Sequence, residues 1–342
     1  MTHTRRQLLA AAATALALLP GSAFAQQVLT FQSSDPAGNP NFELQKTLFA
    51  DAVGAKTNGE LTVELLPVGS VVEHNETQDA VGAGILQGHI TDTSYFAGKD
   101  PAFSLIANPV GAYGSPDEMF GFMDEGGGRE LMNELLQPYN LYFVGPSTPG
   151  LESFVSKVPL NGVDDLKGLK MRAPEGLVQQ VFAAAGASPV NLPGSEVFTS
   201  LDKGVIDAAD YSVFSTNQAQ GLHDVATNPV YPGFHSMPLV EISMNLDAWN
   251  ALSDAHKAAV EEAAREFRDQ QVQRLAEADQ KAVEEAKAGG AITVTDWSPE
   301  ERARFRAIAT EQWQGVAGQS ENAQKVYDTL TAYLKDAGLL SQ

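Results

Sequence analysis

Hydrophobic and polar positions along the chain predict an alternation of strands and helices. Residues 28–33 (VLTFQS) alternate and then turn polar, which predicts a first strand opening into a loop at 35–41. Residues 42–57 carry Phe42, Leu48, Phe49, Ala52 and Val53 at helical spacing and stop at Asn58-Gly59. A short strand at 61–66 is closed by Pro67, 77–86 reads as helix, and 90–94 as strand. This rhythm predicts α/β units around a mixed or parallel sheet. Gly126-Gly127-Gly128 interrupts the next helical region, Pro138 ends the helix after it, and 141–144 is again a strand. A second α/β region follows, with strands near 151–155 and 169–172, a helix at 176–185, and extended pieces at 190–192 and 208–212. No repeat or low-complexity linker separates the regions, so they should share crossing strands.

The stretch 253–287 holds no Gly or Pro and is dominated by Ala, Glu, Gln, Lys and Arg. Ser253 or Asp254 can cap its start and Gly289 its end. About 35 residues at 1.5 Å each extend roughly 50 Å, longer than a lobe of about 150 residues. One rod or two helices meeting near 268–271 fit this pattern equally, and either would brace two lobes. Ser298-Pro299-Glu300-Glu301 reads as a capping box starting a further helix.

Composition narrows the possible chemistry. The chain has 342 residues, 43 acidic against 22 basic, and no cysteine. The length suggests about two domains. Without cysteine, disulfide scaffolds, thiolate zinc sites and cysteine nucleophiles are excluded. A net charge of −21 argues against nucleic acid as a partner, because phosphate binding needs a basic stripe. Residues 1–25 read as a signal peptide of twin-arginine type: Arg5-Arg6, an uncharged run from Leu8 to Leu19, then Ala23-Phe24-Ala25 as cleavage site. An ordinary secretory signal is the alternative, and both predict a periplasmic mature chain from Gln26.

Enzyme motifs are sparse. Gly82-Ala83-Gly84-Ile85-Leu86-Gln87-Gly88 has one residue too many for a dinucleotide fingerprint and reads as a helix ending at Gly88. There is no GxxxxGK[ST], HExxH or GxSxG, and the six histidines never fall at ligand spacing.

The segment DDLKGLKMRAP at 164–174 resembles the DLKGLKxR segment of substrate-binding proteins of tripartite ATP-independent periplasmic (TRAP) transporters. KDPAF (99–103), VNLPGSE (190–196), GVIDAA (204–209) and YPGFH (231–235) agree in order and spacing, over nearly all of the mature chain. The resemblance implies an α/β, two-lobed periplasmic binding protein fold with a long helix packed across both lobes. It places 26–148 plus about 238–275 in lobe I, and 149–237 plus about 276–342 in lobe II. It also implies a receptor without catalytic activity that hands a small carboxylate to TRAP permease subunits, possible as a homodimer. Arg172 corresponds to the arginine that grips the ligand carboxylate. Its planar fork suits that group independently of the resemblance.

The pattern is similar to the branch binding 2-oxo and 2-hydroxy acids, some of whose members hold ligand through a cation. Carried over, Glu152, Asp210, the Tyr211 carbonyl and Glu241 would hold Ca²⁺ or Na⁺. Glu152, Asp210, Tyr211, Tyr95 and His235 would join Arg172 around the ligand, with no organic cofactor. An oxygen-only shell suits a hard cation, whereas zinc lacks its usual ligands. Two readings stay open beside this one: an amine-bearing or sugar-acid ligand held without metal, and a periplasmic enzyme on the same scaffold.

Overall fold

The computed structural model describes residues 26–340, so the expected signal segment 1–25 lies outside the described residues. Nine strands form two sheets. β1 (Gln27–Ser33), β2 (Leu61–Leu66), β3 (Gly88–Asp92), β4 (Leu141–Ser147) and β9 (Val240–Asn245) form the first, ordered β2-β1-β3-β9-β4. β5 (Ser153–Ser156), β6 (Lys170–Arg172), β7 (Ser188–Val190) and β8 (Ala208–Ser212) form the second, ordered β5-β8-β6-β7. β1 pairs in parallel with β2 and β3, and β6 with β7 and β8, while β9 and β5 run antiparallel to their neighbours. The chain leaves the first sheet after β4, builds the second, and returns as β9. Two passages therefore join the sheets.

Helix starts follow one local rule. Asn39-Pro40, Asp100-Pro101, Ser115-Pro116 and Ser298-Pro299 each place a capping side chain before a proline at the first helical position. The cap accepts an orphan N–H, and the proline has none to lose. The KDPAF motif is thus a helix start: Asp100 accepts from Ala102 N at 2.9 Å and from Ser320 Oγ and Asn322 Nδ2, both at 2.7 Å. The box at Ser298 forms only in half. Ser298 Oγ accepts from Glu301 N at 3.3 Å, but Glu301 turns outward to accept from Val163 N at 2.7 Å.

The long helix is one continuous rod, Asp254–Gly289, capped by Ser253 at its start and left-handed Gly290 at its end. Its buried residues Val260, Phe267, Gln271, Leu275, Asp279, Val283 and Ala286 recur every three to seven positions and form one stripe. Phe267 packs on Phe49 in the core of the first sheet, and Val283 and Ala286 pack on Phe214 beside the second. The helix therefore braces both layers. The expected helix ending at Gly88 is corrected: the helix is Thr77–Gly82, and Gly88 opens β3. A Cβ at Gly88 would come within 2.3 Å of the Phe31 ring, so close strand packing explains that glycine.

Candidate functional site

A cavity opens where the two sheets meet, at the C-terminal ends of β1, β3, β6 and β8. It offers about 60 Å³ of water-accessible space, room for several water molecules and thus for a small solute. The first sheet contributes Asp35, Asp92 and Tyr95; the second contributes Glu152, Arg172 and Tyr211. Gln271 arrives from the long helix, and Gln45 from a π-helical stretch, Gln45–Ala50, between helices Pro40–Leu44 and Asp51–Lys56. The wider turn rotates the polar Gln45 inward, a common use of such bulges.

Arg172 ends β6 with 4% of its surface exposed. Nε donates to the Leu192 carbonyl at 3.0 Å and Nη1 to the Asp210 carbonyl at 2.7 Å, which fixes the guanidinium plane. Burial pulls its pKa down, but Tyr95, Asp210 and Glu152 more than offset this, so the charge is secure. Tyr95 also hydrogen-bonds the guanidinium, whose remaining N–H groups face the cavity, where Arg172 is the sole basic side chain among the described residues.

Glu152, Asp210 and His235 each bring one ligand-capable atom within 4.8 Å of the others, all buried. Burial and the neighbouring Asp210 hold the Glu152 carboxyl well above its usual range. Burial also pushes Asp210 upward, but His235, Glu152 and Arg172 overcome it and hold the group down at about 2. Asp210 Oδ2 is buried without a hydrogen-bond partner. A close backbone approach assembles the cluster. A Cβ on Gly233 would lie 1.8 Å from the Glu152 carbonyl, so only glycine lets the YPGFH segment pass beneath residue 152.

Three expected site residues do not line the cavity; Asp210 lies behind it, beside Glu152. Glu241 is fully buried in β9 with its carboxylate occupied: His89 Nε2 lies 2.7 Å from Oε1, and Thr93 Oγ1 donates to Oε2 at 2.8 Å. Its neighbour Val240 faces the cavity instead, because side chains alternate along a strand. His235 does not line the cavity. It stands behind Asp210, with Nε2 3.6 Å from Oδ1, boxed by Phe154, Phe182 and Phe234. Tyr95 and Tyr211 both line the cavity, and burial pushes Tyr211 up to about 12. Asp35, Asp92 and Gln271 were missed. For the two aspartates the signal is positional, since residues at the ends of β1 and β3 sit where α/β proteins bind ligands, whereas Gln271, mid-helix, carries none.

The family model described as "DctP: Bacterial extracellular solute-binding protein, family 7" matches residues 31–319. The chain belongs to this family. A monocarboxylate 2-oxoacid-binding periplasmic protein of Nostoc sp. is 28% identical over 97% of this chain and 94% of its own. A TRAP periplasmic solute-binding protein of Rhodobacter sphaeroides, described as an apo open structure, is 65% identical with a TM-score of 0.76, covering 92% of this chain and all of that one. A TRAP solute-binding protein of Bordetella bronchiseptica, a dimer with copurified calcium and picolinate, is 22% identical with a TM-score of 0.84 over 92% and 93%. The DctP-family fold, α/β and two-lobed, and the role of a solute-binding protein are those expected from the motifs.

Proposed function

We propose that this protein is the periplasmic receptor of a TRAP transporter for a small 2-oxo or 2-hydroxy monocarboxylate, which Arg172 clamps in the closed cleft. The observation that carries the reading is the buried Arg172 guanidinium, held in plane by two carbonyls and open to the cavity. Asn41 Nδ2 and Ser212 Oγ approach to 3.5 Å across the cavity, which supports capture by lobe closure. The lobes would divide as 26–148 plus about 238–275, and 149–237 plus about 276–342. After export and removal of 1–25, the receptor would bind and release without turnover, passing its ligand to the permease subunits as monomer or homodimer.

The carboxylate pair fits a hard cation. Glu152 and Asp210 bring carboxylate oxygens within 4.8 Å of each other, and Asp210 Oδ2 has no hydrogen-bond partner. Ca²⁺ or Na⁺ there would neutralise the charge that the ligand carboxylate adds, with Glu152, Asp210 and the Tyr211 carbonyl as protein ligands. The Nostoc relative named for 2-oxoacids and the calcium in the Bordetella structure support this reading. Native mass spectrometry of the purified protein should release a carboxylate together with calcium or sodium, and exhaustive chelation should weaken its rebinding. Unchanged affinity after chelation would instead favour ligand hydroxyls or an ammonium against Glu152 and Asp210, without metal.

A further inference from the structure

The cavity wall facing Arg172 is acidic. Asp35 follows β1 and Asp92 ends β3, so both stand on the first sheet, across the cleft from the clamp on the second. Each carboxylate is positioned from behind through one oxygen. Gln45 Nε2 donates to Asp35 Oδ2 at 2.9 Å, and Gln45 is itself fixed by Ser33 Oγ at 2.6 Å. Ser94 N donates to Asp92 Oδ1 at 2.8 Å as part of a helix cap. Asp35 has no second protein donor among the described hydrogen bonds, Asp92 is approached besides only by the Ser94 hydroxyl, and both side chains line the cavity. Two partly engaged acceptors therefore face a ligand whose carboxylate points the other way.

We propose that Asp35 and Asp92 select ligands carrying hydroxyl or ammonium donors at the end remote from the carboxylate, and reject those carrying a second carboxylate. Three physical points support this. An anionic group placed between the two aspartates would meet like charge with no cation on that wall. A ligand donor would complete each half-used carboxylate with a charge-assisted hydrogen bond. An apolar end would bury the two carboxylates and leave an acceptor on each unpaired. Both groups already sense the strain: burial raises each pKa to about 6, with Asp92 adding to the rise at Asp35. The inference rests on the carboxylate clamp at Arg172 and adds the ligand's far end to it.

Four 2-hydroxy acids that differ only at the fourth carbon test it by calorimetry: 2-hydroxybutyrate, 2,4-dihydroxybutyrate, 4-amino-2-hydroxybutyrate and malate. Wild type should bind the hydroxyl and amino compounds about tenfold or more tighter than 2-hydroxybutyrate, and malate about a hundredfold more weakly than the hydroxyl compound. In Asp35→Asn with Asp92→Asn, malate should gain about tenfold and the amino compound should lose its advantage. Wild-type affinities that do not discriminate, tightest binding of malate, or no binding by any of the four at millimolar concentration would overturn the assignment. Arg172→Ala separates the two readings. If it binds all four normally, the clamp itself is wrong. If it binds none while wild type fails to discriminate, the clamp stands and only the selective wall falls. The wild-type panel decides even if the double variant is unstable.

Discussion

Arg172 is a buried cation whose position depends on two backbone carbonyls, and its proposed role is to hold a ligand anion. Arg172→Ala should weaken carboxylate binding roughly a hundredfold, about 3 kcal/mol, measured by calorimetry with circular dichroism confirming the fold. Arg172→Lys should restore little, because a single ammonium cannot hold the Leu192 and Asp210 carbonyls and a ligand carboxylate in one plane. The acids opposite make a separate prediction about pH. Asp35 and Asp92 are raised from 3.8 to about 6 in the folded protein by burial. Between these values the folded state holds protons that the unfolded state has lost, so stability falls as pH rises through that window and then levels off. Glu152, also raised by burial, acts in the same direction. The ligand-free protein should melt at a higher temperature at pH 5 than at pH 7, and Asp35→Asn should flatten the difference. A melting temperature that instead rises from pH 5 to 7 would contradict the burial of these groups.

At the level of elements, the long helix acts as more than a brace. Asp279, halfway into the second layer and buried, accepts from Ser215 N at 2.7 Å and Phe214 N at 3.3 Å. These are orphan N–H groups at the start of helix Phe214–Ala219, which has no capping side chain of its own. That helix follows β8, the strand carrying Asp210 and Tyr211, so a cap borrowed from residue 279 steadies the strand of the candidate site. Asp279→Ala should cost about 1 kcal/mol of stability in denaturant titration. It should also weaken ligand binding, whereas Asp279→Asn, which keeps an acceptor, should recover most of both. Loss of stability with unaltered affinity would show that the cap steadies the helix without positioning the site.

At the scale of the whole molecule, the two layers meet at points that tolerate no extra atoms. Gly176 precedes helix Leu177–Ala184 with φ +95°, and a Cβ there would lie 2.4 Å from the Ser104 Cβ in helix Pro101–Ala107. A side chain would both strain the backbone and hold those elements apart. Gly176→Ala should reduce ligand affinity, and small-angle scattering should show less compaction on ligand addition than in wild type. If this variant binds and compacts as wild type does, the contact is not part of closure.

Local chemistry alone determined much of this protein. The strand and helix rhythm, the proline-preceded caps, the ends of the long helix and the arginine after DLKGLKM are all short-range patterns, set by propensity, capping and alternation. Continuity of the long helix was not local. Its pattern admitted a break near 268–271, and packing of Phe267 on one layer and Val283 on the other accompanies a single rod. The composition of the cavity was not local either. Glu241 and Val240 are adjacent in sequence, but pairing of β9 between β3 and β4 sends the valine to the cavity and the glutamate to His89 and Thr93. Asp35, Asp92 and Gln271 come from three distant segments that share no motif, and only the meeting of the two sheets with the helix brings them opposite Arg172. A short pattern reports what one segment prefers, whereas which side chains face each other across a cleft depends on strand register and layer packing, to which the whole chain contributes.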